Sequence, residues 1–258
     1  MNKKQTMPWY VKDGGFFGAD YFEEYADILT LERTKAEVDF IEKELNLKKG
    51  VKILDLACGH GRHTIELAKR GYLMTGQDIN SFFLNNAKRS AKKAGVNIRW
   101  IKGDMRQISF ENEFDVVINL FTAFGYLESD EDDQKVLHQV SRALRPGGRF
   151  MIDFINRERI MRIYNKKDWL KFADETVVII ERNFDLVTGR NHERRTKIYK
   201  NGKKEVFNTS IRMYTLTELI GMCKKAGLQF VSVYGDYNRE VPTIDSKRYI
   251  FITKKSNK

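Results

Sequence analysis

Ile53-Leu54-Asp55-Leu56-Ala57-Cys58-Gly59-His60-Gly61-Arg62-His63 decides the fold. The apolar run from Val51 to Ala57 is the length of one strand, and Cys58-Gly59-His60-Gly61 stops it. A helical stretch follows to Arg70 and Gly71. Glycines at such a junction let the backbone turn sharply and approach a ligand, and the next helix presents free N–H groups. A dinucleotide fingerprint needs a third glycine at position 64, where this chain has Thr64. Asp55 would repel a pyrophosphate and welcome an ammonium. The loop therefore predicts a ligand with a positive group.

Working outward, the same cadence repeats. Tyr72 to Gln77 reads as a second strand, and Leu84, Ala87, Ala91 and Ala94 mark one face of a helix ended by Gly95. Val96 to Ile101 and Phe114 to Leu120 are the next strands, the latter apolar throughout, as expected when both faces of a sheet are covered. Ser129 caps an acid-rich turn, Asp130 to Asp133, and Val136, Val140 and Leu144 give that helix its buried stripe. Arg145-Pro146-Gly147-Gly148 breaks it before a strand from Phe150 to Phe154. After Thr215-Leu216-Thr217-Glu218, a capping box, come strands near Gln229 to Tyr234 and Arg248 to Thr253. This alternation predicts an α/β fold with a doubly wound, mostly parallel seven-stranded sheet built from residues 50–165 and 214–258.

Two segments break the rhythm. Residues 1–49 hold an aromatic arm (Trp9, Tyr10, Phe16, Phe17, Tyr21, Phe22, Tyr25) and a helix marked by Val38, Ile41 and Leu45, together read as a lid. Residues 166–213 turn β-branched, charged and hairpin-like around Asn201-Gly202, which predicts an inserted antiparallel β flap.

Bulk composition narrows the classes. The 258 residues carry 46 Lys and Arg against 35 Asp and Glu, a net charge of +11. Such a balance suits an anionic partner, or simply a basic solvated surface, and the spread of the charges favours the second. Two cysteines make no disulfide framework, and Cys58, His60 and His63 read as loop and helix residues, so no metal is expected. The longest apolar runs are strand-sized, and no apolar stretch follows the basic start, so a cytoplasmic protein without a membrane partner is expected.

Chemistry gathers at the strand tips. Asp78, after Gly76-Gln77, stands where a ribose can give it two hydroxyl hydrogen bonds. Gly103-Asp104-Met105 follows strand three, where a carboxylate can accept from an adenine amino group. Asn119-Leu120-Phe121-Thr122 ends strand four. Four such elements on successive strands point to one ligand far more strongly than any one alone.

These segments, with Arg106 after Met105 and with Leu144-Arg145-Pro146-Gly147-Gly148, resemble motifs of the class I S-adenosylmethionine-dependent methyltransferases. Within that class the chain resembles the small-molecule branch that includes deoxysugar N,N-dimethyltransferases, through Tyr21 and Tyr25, Phe121-Thr122-Ala123-Phe124-Gly125-Tyr126 and the late insertion. The resemblance implies S-adenosylmethionine as cofactor, with Ala57 and Gly59 offering carbonyls to its amino group and Asp55 and Gly61 shaping the loop. It implies Asp78, with Ile79 beside it, at the ribose and Asp104 with Met105 at the adenine. Asn119 would stand beside the reactive methyl, and Tyr21 and Arg33 would close over the methionyl end, Arg33 facing the carboxylate. Tyr126 departs from the sugar enzymes, which carry a histidine there, so their base assignment does not transfer.

Methyl transfer is an in-line displacement that depends mainly on holding donor and acceptor together. Tyr25 and Tyr126 are the side chains expected near the acceptor. Other methyltransferase chemistries lack their signatures: neither cysteine follows a proline, and no Asn/Asp-Pro-Pro-aromatic run or twin-glutamate loop is present. The expectation is an N- or O-methyltransferase for a small-molecule acceptor. The alternatives are an RNA methyltransferase, favoured by charge, and a cofactor-binding protein without catalysis.

Overall fold

The computed structural model describes residues 8–11, 16–18 and 20–257. Seven strands form the main sheet: β1 (Lys52–Leu56), β2 (Leu73–Asp78), β3 (Arg99–Lys102), β4 (Phe114–Asn119), β5 (Leu144–Ile155), β10 (Leu228–Tyr234) and β11 (Arg248–Lys255). Their order is β10-β11-β5-β4-β1-β2-β3, parallel except around β11, which runs antiparallel to β5 and β10. β1 therefore lies between β2 and β4, where the direction of winding reverses. Asp55 pairs with Gly76 on one side and Ile118 on the other. Ligands of open α/β sheets bind at the carboxyl ends of strands beside such a switch point.

Alternation along the central strands sorts the core into two layers. Ile53, Val116, Ile118 and Met151 face α2 (Leu31–Glu44) and α3 (Arg62–Lys69), meeting Val38, Ile41, Ile65 and Leu67. Leu54, Leu56, Val117 and Phe150 face the other way, toward α5 (Asp130–Ala143) and α7 (Leu216–Lys225), meeting Val136, Leu137, Val140 and Leu219. The helix starts follow the expected chemistry: Ser129 caps α5, and Thr215 with Glu218 forms a reciprocal box on α7. β5 starts earlier than its sequence suggests, because Leu144 already pairs with Phe114 and the Pro-Gly-Gly segment forms a register shift inside the strand. Among the described residues no helix is long and apolar enough to cross a membrane.

The insertion is a second sheet, β6 (Lys167–Lys171), β7 (Val177–Asp185), β8 (Arg190–Ile198) and β9 (Lys204–Arg212), in sequential antiparallel order. Its alternation is clean, yet its charges do not all face solvent as the sequence suggested. Arg195 and Lys197 are buried beside Val178 and Ile180 on the inner face, while Ile179 and Val206 are exposed on the outer one. The short helix α1 (Asp20–Glu24) and the segment through Tyr25 lie against that inner face by way of Arg195.

Candidate active site

The carboxyl ends of β1 to β4 open into a cleft. Its base is the loop after β1, which turns through Ala57, Gly59 and Gly61 at φ of 57°, 55° and 77°. Asp55 anchors the loop from below, accepting the Thr64 hydroxyl at 2.5 Å. Complete burial pushes its carboxyl up to about 7, although the Thr64 hydrogen bond opposes the shift. Asp78 holds the loop from the side: one oxygen accepts the Gly59 N–H and the other the Asn80 N–H, both at 2.7 Å. Burial likewise raises the Asp78 carboxyl above its usual range.

The β3 tip is held by Gln77, whose amide donates to the Asp104 carbonyl at 3.0 Å. The Asp104 carboxylate is already forked by Arg106, at 2.6 Å to Nη2, and Arg106 reaches on to Asp132 at 2.9 Å. After β4, Phe121 and Thr122 both take left-handed backbone angles, φ 60° and 59°. Non-glycine residues persist there only when the surroundings fix them. Asp153 does so, its carboxylate accepting the Phe121 N–H and its carbonyl the Thr122 N–H, each at 3.0 Å.

Around the Phe121 ring stand the guanidinium groups of Arg33, Arg62 and Arg248, 5.8, 5.2 and 5.9 Å from its centre. Their buried counter-charges are Glu37 and Asp153. Burial opposes ionisation of Glu37, but the His63 hydrogen bond and Arg62 hold its carboxyl well below the usual range. His63 itself is pushed down to about 4, by burial and then by Arg62, and is neutral at pH 7. Three guanidinium groups thus share two buried carboxylates around one ring. Arg62 lines the cleft, and among the described residues its buried Nη2 has no hydrogen-bond partner. Orphaned buried donors of this kind are rare and mark a missing acceptor.

Aromatic side chains close the top. Tyr10, Phe17 and Tyr21 of the arm line the cleft opposite Phe83, Phe121 and Tyr126. The Asn80 side chain ties the arm to the β2 tip through the Phe17 carbonyl at 3.1 Å. Trp9 packs behind Phe17 and Tyr126, with ring centres 5.7 and 5.0 Å away. Burial pushes the Tyr21 and Tyr126 hydroxyls far above the ordinary phenol range. Both stay protonated at any physiological pH. His60, also in the wall, is pushed down to about 4 by burial and is neutral.

Of the residues singled out from the sequence, Tyr21, Asp55, Ala57, Gly59, Asp78, Ile79, Asp104, Met105 and Tyr126 share this one cleft. Four do not line it. The Arg33 guanidinium is spent on Glu37, at 2.8 Å. The Asn119 amide donates to the Leu56 carbonyl at 2.9 Å and stitches β4 to β1. Gly61 faces Trp100, where a Cβ would come within 2.6 Å of the indole. Tyr25 stacks behind Tyr21 at 4.6 Å. Arg62, inside the motif, also lines the cleft. Its pairing with Glu37 spans 25 residues, and no local pattern signals it.

Residues 53–148 match the family model described as a methyltransferase domain. A glycine/sarcosine N-methyltransferase of Halorhodospira halochloris is 24% identical over 258 residues, covering 96% of this chain and 93% of that protein. A crystal structure of an S-adenosylmethionine-dependent methyltransferase from Clostridium acetobutylicum superposes with a TM-score of 0.79 at 20% identity, covering 92% of this chain and 97% of that one. The S-adenosylmethionine-bound structure of CalS10, an amino pentose methyltransferase from Micromonospora echinaspora, does so at 0.68 and 20%, covering 92% and 96%. The two structural likenesses establish the fold.

Proposed function

We propose that this chain, an S-adenosylmethionine-dependent methyltransferase, methylates an amine nitrogen of a small molecule. The cleft offers partners to the charged groups of the cofactor's methionyl end, an ammonium and a carboxylate on one carbon. Asp55 and Asp78 make one side acidic, and Arg62 with its unpartnered Nη2 makes the other cationic. When bound, S-adenosylmethionine supplies a methyl carbon made electrophilic by its sulfonium. Ala57 and Gly59 offer carbonyls to the amino group with the Asp55 charge behind them, and Arg62 faces the carboxylate, since it lines the cleft and Arg33 does not. Asp78 keeps a free lone pair on each oxygen for ribose hydroxyls, while Ile79, Asp104 and Met105 border the adenine. The aromatic arm excludes water.

The observation that carries the choice of nitrogen is the protonation of the tyrosines. Tyr21 and Tyr126 line the cleft as neutral hydroxyls, so neither serves as a phenolate base. The His60 and His63 imidazoles in the same cleft, pushed down to about 4, are weak bases. An amine attacks without losing a proton first, whereas a hydroxyl must usually be deprotonated as it reacts. A neutral hydroxyl can accept the amine's N–H and aim its lone pair along the line of transfer. Tyr126 is the better placed of the two tyrosines expected near the acceptor, since Tyr25 lies behind Tyr21. Two relatives whose names specify amine acceptors, glycine/sarcosine and an amino pentose, support the reading.

The test is release of S-adenosylhomocysteine across a panel of small amines, amino sugars and hydroxylated aromatics. Turnover is expected with amines, and its acidic limb should move with each acceptor's own amine pKa. Turnover confined to hydroxyl acceptors would reject the assignment.

A further inference from the structure

We infer that Arg195 of the insertion is a positioning residue: it clamps the N-terminal arm and thereby holds Tyr25 against Tyr21, which lines the cleft. The inference rests on the cofactor reading only for its effect on binding, not for the clamp itself.

The geometry is that of a closed latch. Arg195 is 5% exposed, in mid-strand on β8, and points inward with Ile180 and Phe207 as its cross-strand partners. Its Nη2 donates to the Glu24 carboxylate at the end of α1, 171 residues away in sequence. Its Nε lies 3.5 Å from Glu193, and its guanidinium covers the Phe16 ring at 5.2 Å. Its charge also lies beside the Tyr25 hydroxyl, where it opposes the rise that burial imposes on that group. Tyr25 in turn stacks on Tyr21 with the rings 29° apart. One side chain thus bridges the insertion to the arm and, through Tyr25, backs a residue of the cleft.

A buried guanidinium is costly unless its donors are paired, and losing one partner leaves the other charge stranded. The clamp is therefore two-sided: Glu24 has reason to stay docked only while Arg195 is present. Aliphatic packing could hold an arm equally well, but a charged pair also fixes its register, because sliding the arm by one residue would strand both groups.

Chymotrypsin offers the direct readout, since the arm carries Phe16, Phe17, Tyr21, Phe22 and Tyr25. In ligand-free protein, Arg195→Ala and Glu24→Gln should each speed cleavage in the arm about tenfold. The Arg195→Glu/Glu24→Arg exchange should restore at least half of the protection. Affinity for S-adenosylhomocysteine by calorimetry should fall three- to tenfold in Arg195→Ala and recover in the exchange. Arg195→Lys should keep most of the protection, which covers the case in which the alanine variant fails to fold. Cleavage and affinity unchanged in a folded Arg195→Ala protein would overturn the inference, as would an exchange variant no better than either single change. If wild-type protein binds no S-adenosylhomocysteine, the cofactor reading fails, while the cleavage rates still decide the clamp.

Discussion

The floor of the cleft and its roof are built on opposite plans. The floor uses backbone turns and two short acidic contacts on adjacent parallel strands, with Asp78 tying the β1 loop to the β2 tip through hydrogen bonds of 2.7 Å. The roof is assembled from parts far apart in sequence, an aromatic arm and an inserted sheet, joined by the Arg195–Glu24 pair. A rigid floor preorganises the cofactor, whereas a clamped roof can admit and release ligands. Damage to the floor should therefore abolish binding at once, and damage to the roof should weaken it by degrees.

The sharpest break is expected at Asp78. Asp78→Ala frees Gly59 and Asn80 and would remove the proposed ribose contacts, so cofactor affinity should fall by about 2–4 kcal/mol. Calorimetry with S-adenosylhomocysteine checks this, and an unchanged affinity in a folded variant would take Asp78 out of the site. Gly61 comes next, for a different reason. A side chain there meets Trp100 at 2.6 Å and Ala87 at 3.1 Å with φ at 77°, so Gly61→Val should destabilise the fold by about 2–3 kcal/mol through overpacking and strain. Thermal melts of Gly61→Val beside Gly61→Val/Trp100→Ala separate the two causes. Recovery of part of the loss in the double variant points to the indole, and no recovery points to the backbone.

The floor was legible in the sequence residue by residue, whereas the roof was legible as an arm and a flap but not in the contacts that join them, and range explains the difference. Asp55, Gly59 and Thr64 act within ten residues of one another, and the strand tips at Asp78 and Asp104 follow from the βαβ cadence. Arg62 shows where such reading stops. Its partners Thr34 and Glu37 lie on α2, and only packing of α2 on α3 reveals that one nitrogen is left over. Arg195 is the clearer case. In sequence, Glu193-Arg194-Arg195-Thr196-Lys197 looks like a solvated strand, because charge normally marks the outer face. Period-two alternation says that residues 193, 195 and 197 share a face but not which face is buried. The arm supplied that answer.

A smaller effect probes the floor by titration. The Asp55 carboxyl, pushed up to about 7 by burial, is largely protonated at pH 6 and largely ionised at pH 8. Ionisation provides the charge that attracts an ammonium, so affinity for S-adenosylhomocysteine should rise several-fold across that window. Stability should run the other way. Between the ordinary carboxylate range and pH 7 the folded state holds a proton that the unfolded state has lost, so ligand-free stability falls as pH rises. Asp55→Asn should flatten both dependences. A pH-independent affinity in the wild type would show that Asp55 does not sense the ligand.

The smallest expected effect tests whether the insertion's basic residues serve a nucleic acid instead of the roof. Six of them, Arg194, Arg195, Lys197, Lys200, Lys203 and Lys204, would all have to reach phosphates to give a salt slope near −5, at about 0.7–0.9 per contact. The sheet does not present them together. Arg195 and Lys197 are buried on the inner face, Lys200 pairs with Glu175 at 2.9 Å and Lys203 with Glu205 at 2.8 Å. Lys200 and Lys203 are exposed but ion-paired, and Arg194 and Lys204 are exposed without an ion pair among the described residues. The outward row between the rows of Arg194 and Lys204, Trp169, Ile179, Thr196 and Val206, carries a single aromatic ring on which a base could stack. Filter binding of total RNA from 50 to 200 mM salt should therefore give a slope no steeper than about −2. Arg194→Gln/Lys204→Gln should leave S-adenosylhomocysteine affinity unchanged, in contrast to Arg195→Ala on the opposite face of the same sheet. A slope near −5 that becomes shallower by about 1.5 in the outer-face double variant would assign the insertion to RNA and leave the cleft to a nucleotide acceptor.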